Sequence, residues 1–401
     1  MEVYKFGGAS IKDAAGIKNI AGIIKNAESA NLLVVASAMG NTTNKLEEIT
    51  TKYLKGATAE SGRLLEVLKL DHLDIVSELF GNNAHSVFDA VSNTFVEAEW
   101  VLEEEVQDAP DYIYDQLVSL GELVSTLIIV HYLKSIHVNA VWADARSYIK
   151  TDNAYKRAHV DWELTKRECN KELRQLLEKN IVVTQGFIGS SSENFTTTLG
   201  RDGSDYSAAI FCACLDASSL TIWKDVPGVL NADPKWFDET EHIPELSYQD
   251  AIELSYYGAT VIHPKTIKPL QNKNIPLFVR SFKQPDGPGT KILGDSNPLP
   301  VPSFIFKVDQ VLLSIFPKDF SFIIEENLSN IFDIFHRHKV KVNTMFNSAL
   351  SFSVSVDDEE EKIDQLIAEL NLSFKVKYNR GLELVTIRYY NQQTIDRISV
   401  N

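Results

Sequence analysis

Short apolar runs alternate with long helical stretches through residues 1–280. Runs such as LLVVAS (32–37) and IVVTQ (181–185) are rich in β-branched residues and almost uninterrupted by polar ones. Strands of this composition are buried on both faces, as in a mostly parallel sheet covered by helices. The pattern therefore predicts an α/β fold with an open, mostly parallel sheet sandwiched by helices.

A proline- and glycine-rich segment at residues 283–302 ends this pattern. Because such a run cannot continue a helix or a central strand, we predict a linker there, after a first domain at 1–282. Residues 303–380 follow the order β-α-β-β-α-β of a compact ferredoxin-like unit. Residues 381–401 start a second unit that cannot bury a face alone, so we expect either that it docks elsewhere or that the chain was cut short.

Composition limits the class of protein. The chain has 401 residues and a formal net charge of −16, which argues against a nucleic-acid binder, since such proteins present a basic face. We see no apolar run long enough to span a bilayer and no signal-peptide pattern, so we expect no membrane partner and a cytoplasmic location. Three cysteines make no disulfide framework, and we predict no metal ligands among the side chains.

Three short segments place small residues between a predicted strand and a predicted helix: KFGGAS (5–10), SAMGNTTN (37–44) and GRDGS (200–204). Small residues let backbone N–H groups approach an anion, and a following helix adds the positive end of its dipole. In an open parallel sheet, ligands bind beyond the carboxyl ends of the strands. Since Lys5 and Arg201 add positive charge there, the segments predict a site for anionic ligands.

Other phosphate-binding and nucleophile motifs are missing from the sequence. It contains neither G-x-G-x-x-G nor the P-loop pattern, and it lacks the G-x-S-x-G elbow. Taken alone, KFGG is equally compatible with a plain strand followed by a turn. The order of several segments carries more information than any one of them.

The ordered segments KFGGAS, SAMGNTTN, GFIGSSSENFTTTLGRDGSDYSAA and KDVPGVLNADPK resemble those of aspartokinases, in the amino-acid kinase superfamily. GATVIHPKTI and the C-terminal unit, which is similar to an ACT domain, extend the resemblance over nearly the whole chain. The resemblance implies ATP-dependent phosphorylation of the β-carboxylate of L-aspartate to 4-phospho-L-aspartate, the first step toward lysine, threonine and methionine. It also implies Mg²⁺, held on phosphate oxygens with few or no protein ligands.

The resemblance implies roles for individual residues. Lys5 would reach the transferring phosphoryl group and Asp205 would orient it, while Arg201 would hold the α-carboxylate of aspartate and Glu122 its ammonium group. Further residues expected at the aspartate are Ser37, Thr43, Phe187 and Ser204. Those expected at the nucleotide are Gly7, Gly8, Ser10, Lys224, Asp225, Gly228, Asp233, Lys235 and Thr260.

The chain departs from the family pattern at charged positions. Thr260 stands where the family usually has a phosphate-facing lysine, and Asp202 adds a negative charge within GRDGS. We therefore hypothesise that Lys224, where the family more often has serine or threonine, supplies the missing positive charge, with Lys265 as a second candidate. The alternative is that Lys224 is a solvated lysine at a strand end.

The C-terminal region implies regulation and assembly. ACT units of this kind form homodimers and bind lysine or threonine as the effector. The weak effector candidates are Asn327, Asn330, Asn343 and Ser348. Two other functions stay open at this point: a kinase for a related acidic amino acid, glutamate or acetylglutamate, or a catalytically weak amino-acid sensor on a kinase scaffold.

Overall fold

The structure is a computed structural model. It describes the chain except residues 28, 30, 105–108, 238, 260–261, 295–300, 320 and 400–401, and only the backbone of 397–399. The chain forms two compact units. The first consists of Met1–Val229, His242–Ile252 and Val261–Leu299, and the second of Leu230–Glu241, Glu253–Thr260 and Pro300–Asn401. Leu230–Glu241 and Glu253–Thr260, which lie within the predicted first domain, thus group with the C-terminal residues. The domain boundaries stay a prediction.

Strands and helices alternate as the sequence predicts. The strands are β1 Glu2–Phe6, β2 Leu32–Ala36, β3 Ala140–Ala143, β4 Lys150–Thr151, β5 Ile181–Gln185, β6 Ile188–Ser191, β7 Thr196–Thr198, β8 Ser219–Lys224, β9 Val229–Leu230, β10 His242–Ile243, β11 Glu245–Ser247, β12 Leu277–Ser281, β13 Thr290–Leu293, β14 Ser303–Pro317, β15 Val342–Asn347, β16 Phe352–Asp357 and β17 Phe374–Arg388. The helices are α1 Ala14–Lys25, α2 Thr42–Leu54, α3 Thr58–Phe80, α4 His85–Glu103, α5 Pro110–Val118, α6 Leu120–Ser135, α7 Trp162–Glu168, α8 Arg174–Leu177, α9 Gly203–Leu215, α10 Tyr248–Tyr257, α11 Pro264–Gln271, α12 Glu325–Arg337, α13 Glu360–Ser373 and α14 Gln392–Ser399.

Within the described residues, the first unit is built on an eight-stranded sheet in the order β11-β13-β12-β8-β1-β2-β5-β3. β1 pairs in parallel with β2 on one side and β8 on the other. Among the strand pairs described for this sheet, only β12 and β13 are antiparallel to each other. Because parallel neighbours end at the same edge of a sheet, the segments that follow β1, β2, β5 and β8 meet there. The predicted α/β fold is confirmed.

Burial of the central strands and of one helix explains the apolar runs. Every residue of β2 is buried, and α6 is buried along most of its length. The stretch Pro110–Ser135, which contains α5 and α6, corrects the prediction that no apolar stretch is long enough to span a bilayer. By length and composition it could cross a membrane, but most of it is buried inside the protein. We therefore assign it to the core of the first unit.

The second unit contains an antiparallel sheet in the order β15-β16-β14-β17. Apolar side chains of this sheet and of α12 and α13 form one core; they include Val311, Leu313, Ile315, Ile331, Ile334, Phe335, Val354, Val356, Ile363 and Leu366. The element order β14-α12-β15-β16-α13-β17 matches the predicted ferredoxin-like unit.

Two features correct the sequence prediction. Thr290–Leu293, within the predicted linker, forms β13, because its backbone pairs with β11 and β12 and the Thr290 hydroxyl donates to the Ile243 carbonyl at 2.7 Å. The last strand of the unit predicted at 303–380 and the start of the unit predicted at 381–401 form the single strand β17. It pairs along β14 from Pro317 to Ser303, and shifts of register near Gln310 let the two long strands bend.

Candidate active site

A buried ion pair lies where β1 meets the first turn of α9. The Nζ atom of Lys5 is 2.5 Å from Oδ1 of Asp205, and both side chains are almost fully buried. Burial raises the pKa of the Asp205 carboxyl, but the charges of Lys5, Lys224 and His263 outweigh this effect and hold the pKa below its usual range. Asp205 is therefore an ionised carboxylate that fixes the ammonium group of Lys5.

Lys224 approaches the same carboxylate from the neighbouring strand. It ends β8, and its Nζ atom lies 4.0 Å from Oδ2 of Asp205, with 24% of the side chain exposed. Burial lowers the pKa of Lys224, and the charge of Lys5 adds to this, while Asp205 opposes it. The structure thus brings together the three residues predicted to be catalytic.

The segments that follow β1 and β2 pack backbone against backbone. The hydroxyl of Ser10 donates to the carbonyl of Gly7 at 2.6 Å, and the N–H of Gly40 donates to the carbonyl of Gly8 at 3.1 Å. A Cβ atom at Gly8 would lie 2.8 Å from the carbonyl oxygen of Ala38, closer than real contacts allow. Gly8 is therefore required for this close approach, which places backbone N–H groups near Lys5.

Glu122 is a buried carboxyl group in the first turn of α6. Its Oε1 accepts the backbone N–H of Ala38 at 3.1 Å, and it is 2% exposed. Its Oε2 is buried without a hydrogen-bond partner among the described residues. Burial raises the pKa of Glu122 to about 8, although the N–H of Ala38 and the charge of Lys5 oppose the shift. A ligand cation placed at Oε2 would favour the ionised carboxylate, and the proton would be released to solvent.

The aspartate-facing residues predicted after β5 gather at the N-terminus of α9. Phe187 has a φ of +69°, and its N–H donates to the hydroxyl of Ser207 at 2.9 Å. A Cβ atom at Gly186 would lie 2.5 Å from Cβ of Ser204, and one at Gly203 would lie 2.7 Å from the Phe187 ring. The two glycines therefore let β5 and α9 touch, which fixes Phe187 and Ser204 side by side.

Two further predicted aspartate ligands lie after β2. The carbonyl of Ser37 accepts the hydroxyl of Ser125 at 2.6 Å, which ties this segment to α6. Thr43 is half-buried in the first turn of α2. Both residues thus belong to the same edge of the sheet as Lys5.

Arg201 differs from the expectation of a shared cationic cluster. Its side chain is 92% exposed, and its Nε atom lies 3.9 Å from the Asp202 carboxylate. Asp202 has a φ of +57° at the start of α9. A guanidinium group on an exposed turn is stabilised by water, which buried Lys5 cannot use. Arg201 therefore lies outside the buried pair, and its role toward the aspartate α-carboxylate stays a prediction.

The residues predicted to bind the nucleotide divide between the units. In the first, Asp225 is exposed, and Gly228 has a φ of +148° with Thr290 against its Cα. In the second, Asp233 and Lys235 are exposed, and the Lys235 N–H donates to the Asp233 carboxylate at 2.9 Å. Thr260 lies outside the described residues. These roles stay predictions.

The effector candidates have different surroundings in the second unit. The Asn327 side chain accepts the N–H of Ile324 at 3.0 Å and so caps α12, whereas Asn330 is exposed. Asn343 is buried and hydrogen-bonded to Lys307, Gln310 and Asp357, at 2.7, 2.9 and 2.7 Å. The hydroxyls of Ser348 and Ser351 lie 2.8 Å apart. Their role as effector ligands stays a prediction.

Sequence reasoning missed several groups at this site. His263, which precedes α11, contributes positive charge at Asp205. The backbone N–H of Ala38 fixes Glu122. A histidine before Pro264 is a visible helix-start signal, but nothing in the sequence connects it with a residue 58 positions away. The type of a side chain does not show where its backbone N–H donates. Only the position of SAMG after a predicted strand indicated that the N–H of Ala38 could lie at the site.

Comparison with known proteins places the chain in a family. The model of the amino acid kinase family matches residues 1–281. Lysine-sensitive aspartokinase 3 of Escherichia coli (strain K12) is 31% identical over 394 residues, covering 96% of this chain and 86% of that protein. The crystal structure of E. coli aspartokinase III in complex with aspartate and ADP has a TM-score of 0.82 at 29% identity, covering 98% of this chain and 88% of that chain. The complex of the same enzyme with lysine and aspartate has a TM-score of 0.84 at 28% identity, covering 100% and 92%. The chain therefore belongs to the amino acid kinase family, within the aspartokinases.

Proposed function

We propose that this chain is an aspartate kinase, which transfers the γ-phosphoryl group of ATP to the β-carboxylate of L-aspartate. The observation that carries the proposal is the buried Lys5–Asp205 ion pair beside the glycine segment 7–8, with buried Glu122 bound to Ala38 after the next strand. This arrangement offers one cationic region for a phosphate donor and one buried carboxyl group that ionises beside the ammonium group of an amino-acid acceptor. The product is 4-phospho-L-aspartate, and the step opens the branch toward lysine, threonine and methionine.

The chemistry needs positioning more than proton transfer. The acceptor carboxylate is already ionised at neutral pH, so a strong general base is unnecessary. One of its oxygens forms a bond to the γ-phosphorus while the bond to the bridging oxygen of ADP breaks, and ADP leaves with the electron pair. Lys5, held by Asp205, stabilises charge on the transferring group, and N–H groups of Gly7 and Gly8 support it.

Aspartate is recognised at both ends of its backbone. Glu122 pairs with the ammonium group through Oε2, while Arg201 binds the α-carboxylate from its exposed position. Ser37, Thr43, Phe187 and Ser204 line the same pocket, and a longer acidic side chain would place its carboxylate differently against Lys5. This is the basis for selecting aspartate over glutamate.

Magnesium enters as part of the substrate MgATP. The described residues contain no group of three or more histidine, cysteine, aspartate or glutamate side chains suited to hold a metal ion. We propose that Mg²⁺ is carried on phosphate oxygens, which are the hard ligands it prefers. The residues described here act on the nucleotide through lysine side chains and backbone N–H groups.

The second unit supports regulation and assembly. It has the ferredoxin-like order of an ACT unit, and one crystallised relative is a complex with lysine. Lysine or threonine is the effector class, and the chain pairs as a homodimer through this unit. Three cysteines of the described part are buried and free, in keeping with a cytoplasmic location.

An assay for acyl phosphate tests the proposal. The purified protein is incubated with MgATP and hydroxylamine, and aspartate, glutamate and acetylglutamate are compared as acceptors. We expect hydroxamate from aspartate and at least about tenfold less from the other two, because the carboxylate must reach Lys5. Lys5→Met should lower the rate about a hundredfold or more.

Two outcomes would contradict the proposal. Hydroxamate from glutamate or acetylglutamate in preference to aspartate would assign a different acceptor. Binding of aspartate with no hydroxamate from any acceptor would favour the amino-acid sensor instead.

A further inference from the structure

We infer that Lys224 is a second cation for the phosphate chain of the nucleotide and acts opposite Lys5. The inference rests on the proposed function and deepens it, because it assigns a contact with the phosphates of the nucleotide to Lys224. It follows from the register of two strands, from the charges around Asp205 and from the order of the sheet.

Strand register places Lys224 beside the glycine segment. β1 and β8 are parallel, with Phe6 opposite Trp223, so Lys224 is level with Gly7. The rings of Phe6 and Trp223 stack with centroids 6.0 Å apart, which shows that paired residues share a face of the sheet. Since side chains alternate along a strand, Lys224 lies on the opposite face from Trp223, the face of Lys5.

The charges around Asp205 favour an added anion. Each oxygen of this buried carboxylate has one ammonium group near it: Lys5 at 2.5 Å and Lys224 at 4.0 Å. Asp202 and Asp225, which also interact electrostatically with Lys224, are exposed, so water screens their charge. Lys5, Lys224 and His263 thus bring positive charge to one buried carboxylate, and the phosphate chain of a nucleotide is attracted to that charge.

The order of the sheet separates the two substrates. β1 lies between β8 and β2. Glu122, proposed for the ammonium group of aspartate, binds Ala38 just after β2, whereas Lys224 ends β8 on the other side of Lys5. Lys224 therefore belongs to the nucleotide side.

The test compares four variants. Lys224→Met removes the charge, Lys224→Gln keeps a polar tip, Lys224→Arg keeps the charge, and Lys25→Met removes a matched charge from exposed α1. Calorimetry gives the affinities for MgATP and for adenosine, and steady-state kinetics give kcat and KM for ATP and aspartate.

We expect Lys224→Met and Lys224→Gln to lower kcat/KM for ATP about tenfold to a hundredfold, the usual effect of one charge-assisted contact. MgATP affinity should fall, while adenosine affinity and the KM for aspartate stay within about twofold, because the lost contact is to phosphate. Lys224→Arg should retain most of the activity, and Lys25→Met all of it.

The inference is overturned if either uncharged variant, shown to be folded by circular dichroism, keeps MgATP affinity and turnover within about twofold of the parent. An equal loss of adenosine and MgATP affinity would also overturn it. The glutamine variant keeps the test available if the methionine variant does not fold. MgATP affinity is measured without turnover, so a parent protein that phosphorylates no acceptor rejects the proposed function and still leaves Lys224 testable.

Discussion

At the residue scale, the protonation state of Glu122 is expected to change when aspartate binds. Burial raises its pKa to about 8, so the carboxyl of the free enzyme holds a proton at pH 7. An ammonium group placed at Oε2 would favour the ionised form and lower this pKa. Binding of aspartate is then linked to the release of a proton, which is a property of this residue and its surroundings.

We predict that aspartate binding at pH 7 releases protons. Below the pKa of the bound state both states of Glu122 are protonated, and above about 8 both are ionised, so release is confined to the interval between. Calorimetric titration in buffers with different ionisation enthalpies measures the number of protons released.

Glu122→Gln supplies the control for this prediction. It keeps the shape of the side chain but cannot ionise, so it should abolish the release and weaken aspartate binding about tenfold to a hundredfold. Release of the same size in the variant would mean that another group titrates, and the assignment of Glu122 to the ammonium group would then fail.

Among the elements, the contact between β5 and α9 determines where Ser204 and Asp205 lie. A Cβ atom at Gly186 would be 2.5 Å from Cβ and 2.7 Å from Cα of Ser204. The second of these is backbone, which cannot rotate away. Because Ser204 precedes Asp205 at the start of α9, any shift there moves the partner of Lys5.

We predict that Gly186→Ala destabilises the protein by about 1–3 kcal/mol, since overpacking forces the backbone to move. It should also lower kcat more than the loss of stability explains, because the Lys5–Asp205 ion pair is displaced. Thermal unfolding and the hydroxamate assay measure the two effects.

Gly22 is the matched control. It is exposed in the middle of α1, with nothing within 4 Å of an added Cβ atom. Gly22→Ala should raise stability by about 0.5–1 kcal/mol through helix propensity and leave activity unchanged. If Gly186→Ala behaved like Gly22→Ala, the contact between β5 and α9 would not position the site.

Short apolar strands and the glycines after them could be predicted from the sequence, whereas contacts between distant residues could not. KFGG and SAMG were placed correctly, because buried strands and glycines mark the ends of parallel strands. The length of β17 was missed, since Gly381 resembles a break between strands, whereas its positive φ lies at an irregularity of register within one strand. The exposure of Arg201 was also missed, because charge type does not show whether a turn faces water.

At the scale of the whole molecule, a chain with a net charge of −16 concentrates positive charge at one buried place. Lys5, Lys224 and His263 come from three distant parts of the sequence and act on Asp205. Long-range repulsion of an anionic nucleotide is screened by salt within about 10 Å at 0.1 M, whereas buried charges are screened much less. A local cluster can therefore bind ATP despite the overall charge.

The formation of a dimer also belongs to the scale of the whole molecule. An exposed edge of the sheet in the second unit is a candidate contact surface. β15 is one of the two edge strands in the order β15-β16-β14-β17, and its Met345 and Phe346 are 62% and 70% exposed. An edge strand with exposed apolar side chains favours pairing with another chain. We therefore predict that the contact of the proposed homodimer lies on β15.

We predict that the protein is a dimer at micromolar concentration and that Met345→Lys with Phe346→Asp shifts it toward monomer, as measured by size-exclusion chromatography with light scattering. Burying two new charges at the contact costs more than a marginal interface supplies. Leu372→Lys, at an exposed position of α13, is the control and should stay dimeric. A monomeric parent would reject the homodimer, whereas a doubly substituted protein that remains dimeric would exclude β15 as the contact.

Because Lys5, Asp205 and Glu122 all belong to the first unit, basal phosphorylation of aspartate should persist in the monomer, and only the response to lysine or threonine should change.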